Sequence, residues 1–244
     1  LHTAYSFFLL RQQVIKPSII KTAMEQWQGA RGWPSWSLSN HDVIRFPTRL
    51  ADGDPQRTKL MIALLLALRG TAFIYQGDEL GLPHAEVPFD RLRDPEAIAF
   101  WPDGIGRDGA RTPMPWTHSA NMAGFTGAAD AWLPLDPRHA ALAVDVQQAN
   151  PDSVLAFARA AIALRKRSLA LREGEFVLLD APEPVLAFER AAEGARVLCL
   201  FNLGPEPALR PMPPGADTML TVGEARAGAG GVTLGGYSGL LVAL

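Results

Sequence analysis

The chain has 244 residues, 48% hydrophobic and 20% charged, and 23 basic against 25 acidic residues leave a net charge of −2. High apolar content at so small a charge excludes a mostly disordered chain and gives no basic excess for a nucleic-acid partner. The length suffices for one large core and a smaller domain. In chain order, Tyr5 to Leu10 is a short aromatic and aliphatic run of the kind a buried strand has. Pro17 and Ser18 open a helix over Ile19 to Trp27, closed by Gly29. A second strand, Pro34 to Ser39, runs straight into Asn40-His41-Asp42. Asp54 caps, and Pro55 begins, the clearest helix, Gln56 to Leu68. Its apolar run stops at Arg69-Gly70 and is too short to span a bilayer, so no membrane partner is expected. Thr71 to Tyr75 is a third strand, followed by Gln76-Gly77-Asp78-Glu79.

Strand, helix, strand, helix, strand with short connections predicts parallel strands and crossover helices. From Gly81 to about Asn150 the periodicity stops, and prolines, glycines and tryptophans take over. A loop that long, 81–150, is usually functional. Asp152 or Ser153 then caps a helix from Val154 to about Leu169, with an apolar face of Val154, Phe157, Ala161 and Leu164. The run Arg165-Lys166-Arg167 at its end reads as a solvated face. After Gly174 come short strands at Phe176 to Leu179, Val185 to Phe188, Val197 to Phe201, Thr218 to Val222 and Leu240 to Leu244. They predict a small all-β domain with an Ala/Gly-rich turn over Ala225 to Gly231. The expected division is therefore 1–172 and 173–244. The single cysteine, Cys199, lies within Val197 to Phe201 and reads as a small core residue. A reducing compartment is compatible with it. A cytoplasmic location is expected; a periplasmic one stays open, because the sequence starts at Leu1 rather than Met.

Asn40-His41-Asp42 sits just past a strand end, where (β/α) barrels carry their catalytic groups. A carboxylate beside an imidazole there can hold sugar hydroxyls through charge-assisted hydrogen bonds. Taken alone, Asp or Asn in that place is more often a cap or turn residue. Asp78 and Glu79 end the next strand, and paired carboxylates are what glycosidic chemistry needs. Adjacent strand residues point to opposite sides, however. That favours one structural carboxylate and one facing solvent. The five histidines show no metal-ligand spacing. The glycines of Gly104 to Gly109 do not lie between a strand and a helix, as a phosphate cradle would require. No metal and no cofactor is expected.

The segments say more together than apart. Ser39-Asn40-His41-Asp42 with Arg45, then Phe73-Ile74-Tyr75-Gln76-Gly77-Asp78-Glu79-Leu80-Gly81, then Gly106-Arg107-Asp108-Gly109-Ala110-Arg111-Thr112-Pro113-Met114-Pro115-Trp116 resemble the α-glucosidases of glycoside hydrolase family 13. The resemblance covers essentially the whole chain. It implies an α/β fold: the C-terminal part of a (β/α)8 TIM barrel, about strands six to eight, followed by a small all-β sandwich. Leu1 to Leu10 matches the sixth strand and its approach. The Arg-Asp-Gly-Ala-Arg-Thr-Pro-Met stretch is similar to that of the exo-acting branch, which includes the oligo-1,6-glucosidases. By the same resemblance Asp42 is the catalytic carboxylate that stabilises the oxocarbenium-like transition state, and His41 is the neighbouring hydroxyl donor. Asn40 and Arg45 of the same motif are counted as substrate-binding. Arg111, with Arg107 close by, closes the bottom of the first glucose pocket. Glu86 borders the acceptor sugar. Trp33, Trp101 and Trp116 are candidates for stacking on sugars, though such residues are more often partly buried scaffold.

The chain also departs from that family. Its nucleophile context, Gly-x-Arg-x-Asp after the fourth strand, and its Glu acid/base after the fifth are absent. Arg93-Asp94 and Arg107-Asp108 mimic the first, but in the long loop. A barrel needs eight strands, and three are legible. The expectation is a chain that begins just after the acid/base residue and has the missing N-terminal half of the barrel as its partner. Residues 1–244 alone are then expected to be inactive. The complete protein would be a retaining α-glucosidase acting on the non-reducing-end glucose of short α-glucosides such as maltose, isomaltose or sucrose. The alternatives are a glucosyl-transferring or isomerising relative of the trehalose synthase or sucrose isomerase type, and a non-catalytic barrel relative serving as an interaction subunit.

Overall fold

The alternation read in the first third of the chain folds as parallel strands joined by helices. A computed structural model describes residues 2–30, 32–104, 106–228 and 230–244. It begins with β1 (Thr3–Tyr5), α1 (Pro17–Glu25), β2 (Trp33–Ser37), α2 (Phe46–Arg49), α3 (Pro55–Ala67) and β3 (Thr71–Phe73). The strands form one sheet in the order β1-β2-β3, all parallel, with Thr3 opposite Trp33 and Ser35 opposite Thr71. Among its described residues the long loop holds only α4 (Pro95–Ala99), α5 (Pro137–Ala140), α6 (Val144–Gln148) and single 3-10 turns. Then come α7 (Val154–Arg167), α8 (Leu169–Glu173), β4 (Glu175–Leu179), β5 (Val185–Ala192), β6 (Ala195–Asn202), β7 (Ala208–Arg210), β8 (Asp217–Val222), β9 (Ala225–Gly228), β10 (Gly231–Leu234) and β11 (Ser238–Ala243). Among the described residues no helix is long and apolar enough to cross a membrane.

The chain forms two compact units built from separated stretches. One takes Leu1–Ser37, Gln56–Phe73 and Ala158–Leu244; the other takes Leu38–Pro55 and Ile74–Phe157. In the first unit, every residue of α3 from Leu60 to Ala67 is buried, as a helix apolar all round requires. A buried helix end leaves carbonyls without partners unless side chains reach them. Two arginines do so here. Arg165 donates to the carbonyls of Leu66, of Leu68 at 3.1 Å and of Gly70 at 2.5 Å. Arg190, fully buried, donates to Ala67 O at 2.6 Å and Gly174 O at 2.8 Å. Both cations sit at the negative end of the helix dipole. Arg165 is therefore not part of a solvated face; only Lys166 and Arg167 are exposed.

The C-terminal strands form two antiparallel sheets, β4-β5-β6-β11-β8 and β7-β10-β9. Ala187, Leu198, Leu200, Leu240 and Val242 of the larger sheet pack against Val232 and Leu234 of the smaller. Alternate residues point the other way: the rings of Phe176, Phe188 and Phe201 stack at 4.6 and 6.0 Å. Burial on both faces is why β5, β6 and β11 read as continuous apolar runs. Cys199 is among them, fully buried, with its thiol pushed up by that burial.

Four sequence expectations change. The first strand ends at Tyr5, because the chain turns at 8–11 and buries Leu9 and Leu10, adjacent residues that a strand would point apart. The helix from Val154 stops at Arg167, because Ser168 Oγ accepts from Leu171 N and starts α8. Of the two expected caps it is Ser153 that closes α7, accepting from Ala156 N; Val154, Ala161 and Leu164 are buried as expected and Leu155 and Ala158 join them, while Phe157 is only half-buried. Much of the Ala/Gly turn is strand: β9 pairs with β10 from Gly228 opposite Gly231 to Ala225 opposite Leu234. Small residues gave no strand signal there, and pairing supplied it.

Arg190→Met is expected to lower stability by roughly 2–4 kcal/mol, since it leaves two buried carbonyls without a donor. Urea unfolding of the full-length protein checks this; an unchanged midpoint would contradict the capping role.

Candidate active site

The chain leaves β2 at Ser37 and forms a tight loop before α2. Buried Ser39 accepts from Phe46 N at 2.8 Å through its Oγ, and Asn40 Oδ1 accepts from Asp42 N at 2.8 Å. These two side chains close the loop on itself, an Asx turn inside a wider one. The consequence is a sorting of directions. His41 and Asp42 face solvent, with side chains 63% and 46% exposed and His41 Nε2 3.4 Å from Asp42 Oδ2. Asn40 is thus engaged in shaping the turn that presents Asp42.

Arg45 goes the other way. It is 0% exposed and donates to Gln76 O at 2.6 Å and Ala110 O at 2.9 Å, with Tyr75 under its guanidinium at 5.3 Å. Tyr75 Oη donates to the same Ala110 carbonyl at 3.0 Å. The expectation that Arg45 binds substrate is corrected: its fork is committed to backbone carbonyls, and its work is to join three segments. Gly77 makes this possible. Its φ is +89°, and a Cβ there would come within 2.6 Å of Leu82 Cδ1 and 2.8 Å of Arg45 Nη1. Gly109 is pinned likewise, 2.3 Å from Ala85 O by the same measure. Met114 of the Arg-Thr-Pro-Met stretch is a core residue, packed with Leu80, Leu82 and Leu155.

With 107–111 fastened to Arg45, two more arginines come to Asp42. Arg111 Nη2 lies 3.2 Å from Asp42 Oδ1, and its Nε donates to His41 O at 2.9 Å. Arg107 Nη1 lies 3.9 Å from the same Oδ1. Asp42 thus has both guanidinium groups on one oxygen and the imidazole on the other. The structure brings Asn40, His41, Asp42, Arg111 and Arg107 together. Glu86 makes its contact elsewhere: its side chain is 89% exposed, 3.3 Å from Arg138 Nη1. Trp101 and Trp116 are half-exposed, while Trp33 carries the Arg69 guanidinium over its ring at 4.3 Å.

Asp78 and Glu79 lie in a 3-10 turn, not at a strand end. Glu79 Oε2 folds back to accept from Gly77 N at 2.9 Å. Asp78 is 1% exposed. Burial raises its carboxyl from the usual 3.8 to about 7, against the Ser39 hydroxyl and the charge of Arg45. Burial likewise lowers Arg49 to about 10 and His84 to about 4. Asp94 and Asp108 are also buried and hydrogen-bonded within the loop. Among the described residues no three His, Cys, Asp or Glu side chains cluster as metal ligands would.

The fold and the loop together define a (β/α)-barrel portion with its polar residues on the loops that follow the strands. Residues 5–174 match the model of "Alpha amylase, catalytic domain", and residues 172–241 match "Domain of unknown function (DUF3459)". The chain belongs to the α-amylase family and forms the C-terminal part of its barrel, followed by a β-sheet domain. A probable alpha-glucosidase of Rhizobium meliloti (strain 1021) is 41% identical over 217 residues, 87% of this chain and 39% of that protein. A probable oligo-1,6-glucosidase 2 of Bacillus subtilis (strain 168) is 32% identical over 219 residues, 79% of this chain and 38% of its own. Among solved structures, the alpha-glucosyl transfer enzyme XgtA matches with a TM-score of 0.90 at 43% identity, over 100% of this chain and 46% of that one. The trehalulose synthase MutB from Pseudomonas mesoacidophila MX-45 matches with a TM-score of 0.85 at 26% identity, over 100% and 51%. The chain spans about two-fifths of the length of the curated relatives it matches.

Because the native Asp78 carboxyl is raised, its contribution to stability is present below about pH 4 and is lost as pH rises through about 7. Asp78→Asn, neutral throughout, should gain on the parent protein as pH rises from about 5 to about 8. Thermal unfolding at both ends checks it; a constant difference would refute the linkage.

Proposed function

We propose that this chain is the portion of a retaining α-glucosidase that carries the stabilising carboxylate, Asp42, and that the complete protein removes non-reducing-end glucose from short α-glucosides. The carrying observation is one solvent-facing carboxylate on a closed loop, with His41 at one oxygen and Arg107 and Arg111 at the other. As the glycosidic bond breaks, the sugar ring gains positive charge. Hydrogen bonds from its hydroxyls to Asp42 strengthen at that moment, so they lower the barrier more than they tighten ground-state binding. The arginines fix Oδ1, which leaves Oδ2 and His41 for the sugar. The likeness to a probable alpha-glucosidase and a probable oligo-1,6-glucosidase supports the reading.

The nucleophile and acid/base are assigned to residues outside this chain. Asp94 and Asp108, the local mimics of the nucleophile context, are buried and occupied by backbone N–H groups and Arg107. A second reading is glucosyl transfer, favoured by the likeness to XgtA. Hydrolysis and transfer differ in what accepts the glucosyl group, and we read exposed Glu86, 3.3 Å from Arg138, as bordering that acceptor in both. A non-catalytic interaction subunit accounts less well for a carboxylate, an imidazole and two arginines converging on one loop.

In the full-length protein, Asp42→Asn is expected to lower kcat on the order of 1000-fold, about 4 kcal/mol of barrier, with the fold intact. A loss under about tenfold would count against the assignment. Arg111 beside Asp42 favours a closed pocket over an open cleft. Maltose or sucrose should therefore be hydrolysed and soluble starch scarcely touched; efficient internal cleavage of starch would sink the exo-acting reading.

A further inference from the structure

Arg107 uses only part of its guanidinium on Asp42, and the rest is tied down from behind. Its Nε donates to Asp94 Oδ2 at 2.8 Å and its Nη2 to Asp94 Oδ1 at 2.5 Å, a bidentate fork. Its backbone N donates to Asp94 Oδ2 at 2.7 Å. Asp94 is buried, with its side chain 0% exposed, while the arginine is partly open to solvent. The one nitrogen the fork leaves over, Nη1, is the atom that faces Asp42 Oδ1 at 3.9 Å. Asp94 is itself held: its backbone N donates to Asp108 Oδ2 at 2.8 Å, as that of Arg93 does at 2.6 Å, and its Oδ1 accepts from Glu96 N at the start of α4. The bonds from Arg107 keep the Asp94 carboxyl well below the usual carboxylate range, so the clamp stays charged in mild acid.

We propose that Asp94 is a positioning residue for the reaction. By gripping two nitrogens of Arg107 it aims the third at Asp42, so that a second guanidinium joins Arg111 on the same carboxylate oxygen. The proposal rests on the reading of Asp42 given above. An arginine reaching Asp42 on a free side chain would have to be ordered at every encounter; the buried carboxylate orders it in advance. The Arg93-Asp94 and Arg107-Asp108 pairs, which imitate a nucleophile context in sequence, thereby gain a role that needs neither aspartate to touch the sugar. Asp108 holds the backbone of Arg93 and Asp94, Asp94 grips the arginine and Arg107 meets the catalytic carboxylate.

The test is a double-mutant cycle in the full-length protein on a chromogenic α-glucoside. Asp94→Asn keeps an acceptor for the Glu96 N–H but loses the charged fork. The expected result is a fall in kcat on the order of 100-fold with KM nearly unchanged. In an Arg107→Gln background the same Asp94→Asn change should have no further effect, because the residue acts through that arginine. Losses that multiply in the double variant would show Asp94 bracing the loop independently of Arg107 and would overturn the proposal. If Asp94→Asn proves too unstable by thermal unfolding, Arg107→Gln alone decides. That variant leaves Asp94 its backbone partners, and activity equal to the parent overturns the proposal. Asp42→Asn run in parallel separates the two readings. If that variant is inactive while Asp94→Asn and Arg107→Gln are fully active, only the positioning role fails. If Asp42→Asn is active, the reading of Asp42 fails with it.

Discussion

The guanidinium of Arg45 lies wholly inside the protein, between the carbonyls of Gln76 and Ala110 and against the ring of Tyr75. A cation out of water needs acceptors and a counter-charge near, and here the two carbonyls and the carboxyls of Asp78 and Glu79 come from other segments of the chain. The loop after β2, the turn at Asp78 and the Arg-Asp-Gly-Ala-Arg stretch are therefore set together or not at all. Gly77 and Gly109 clear the space, since a side chain at either would strike the neighbours that define the arrangement. Burial works against ionisation of Asp78, and the nearby charge of Arg45 works for it. Everything that faces outward from this knot, Asp42 above all, inherits its position from it.

The exposed side is built by the same logic in smaller steps. Ser39 and Asn40 spend their polar atoms on their own backbone, which turns His41 and Asp42 outward. Asp94 and Asp108 do the corresponding work for Arg107. Most of the polar residues in these motifs never meet a substrate; they hold the few that are placed to. Preorganisation of this kind matters for a carboxylate that must stabilise charge appearing only in the transition state.

The first unit shows the same economy in its core. α3 is buried along its last eight residues, and its carbonyl end is closed by arginines from α7 and β5. One contact set thus ties helix, connecting helix and sandwich into a single folding problem. Neither Arg165 nor Arg190 belongs to any catalytic motif, yet each stands where loss would leave backbone groups unpaired.

The parallel βα order, the all-β end and the family were legible in the residues alone, because apolar periodicity and motif spacing are local properties of the chain. The sequence also singled out Asn40, His41, Asp42 and Arg111, which the structure brings together from two loops, the one after β2 and the long one. It misjudged Arg45 and Arg165, since nothing in a sequence tells whether a guanidinium faces water or a carbonyl 31 or 99 residues away. It read Ala225 to Gly231 as a turn, because small residues become strand only when a partner such as β10 lies beside them. Arg107 and Arg111 meet on the same oxygen of Asp42, with Asp94 behind Arg107, only in the folded chain. That arrangement depends on buried hydrogen bonds between segments far apart in the chain, whose partners are chosen by packing and not by spacing.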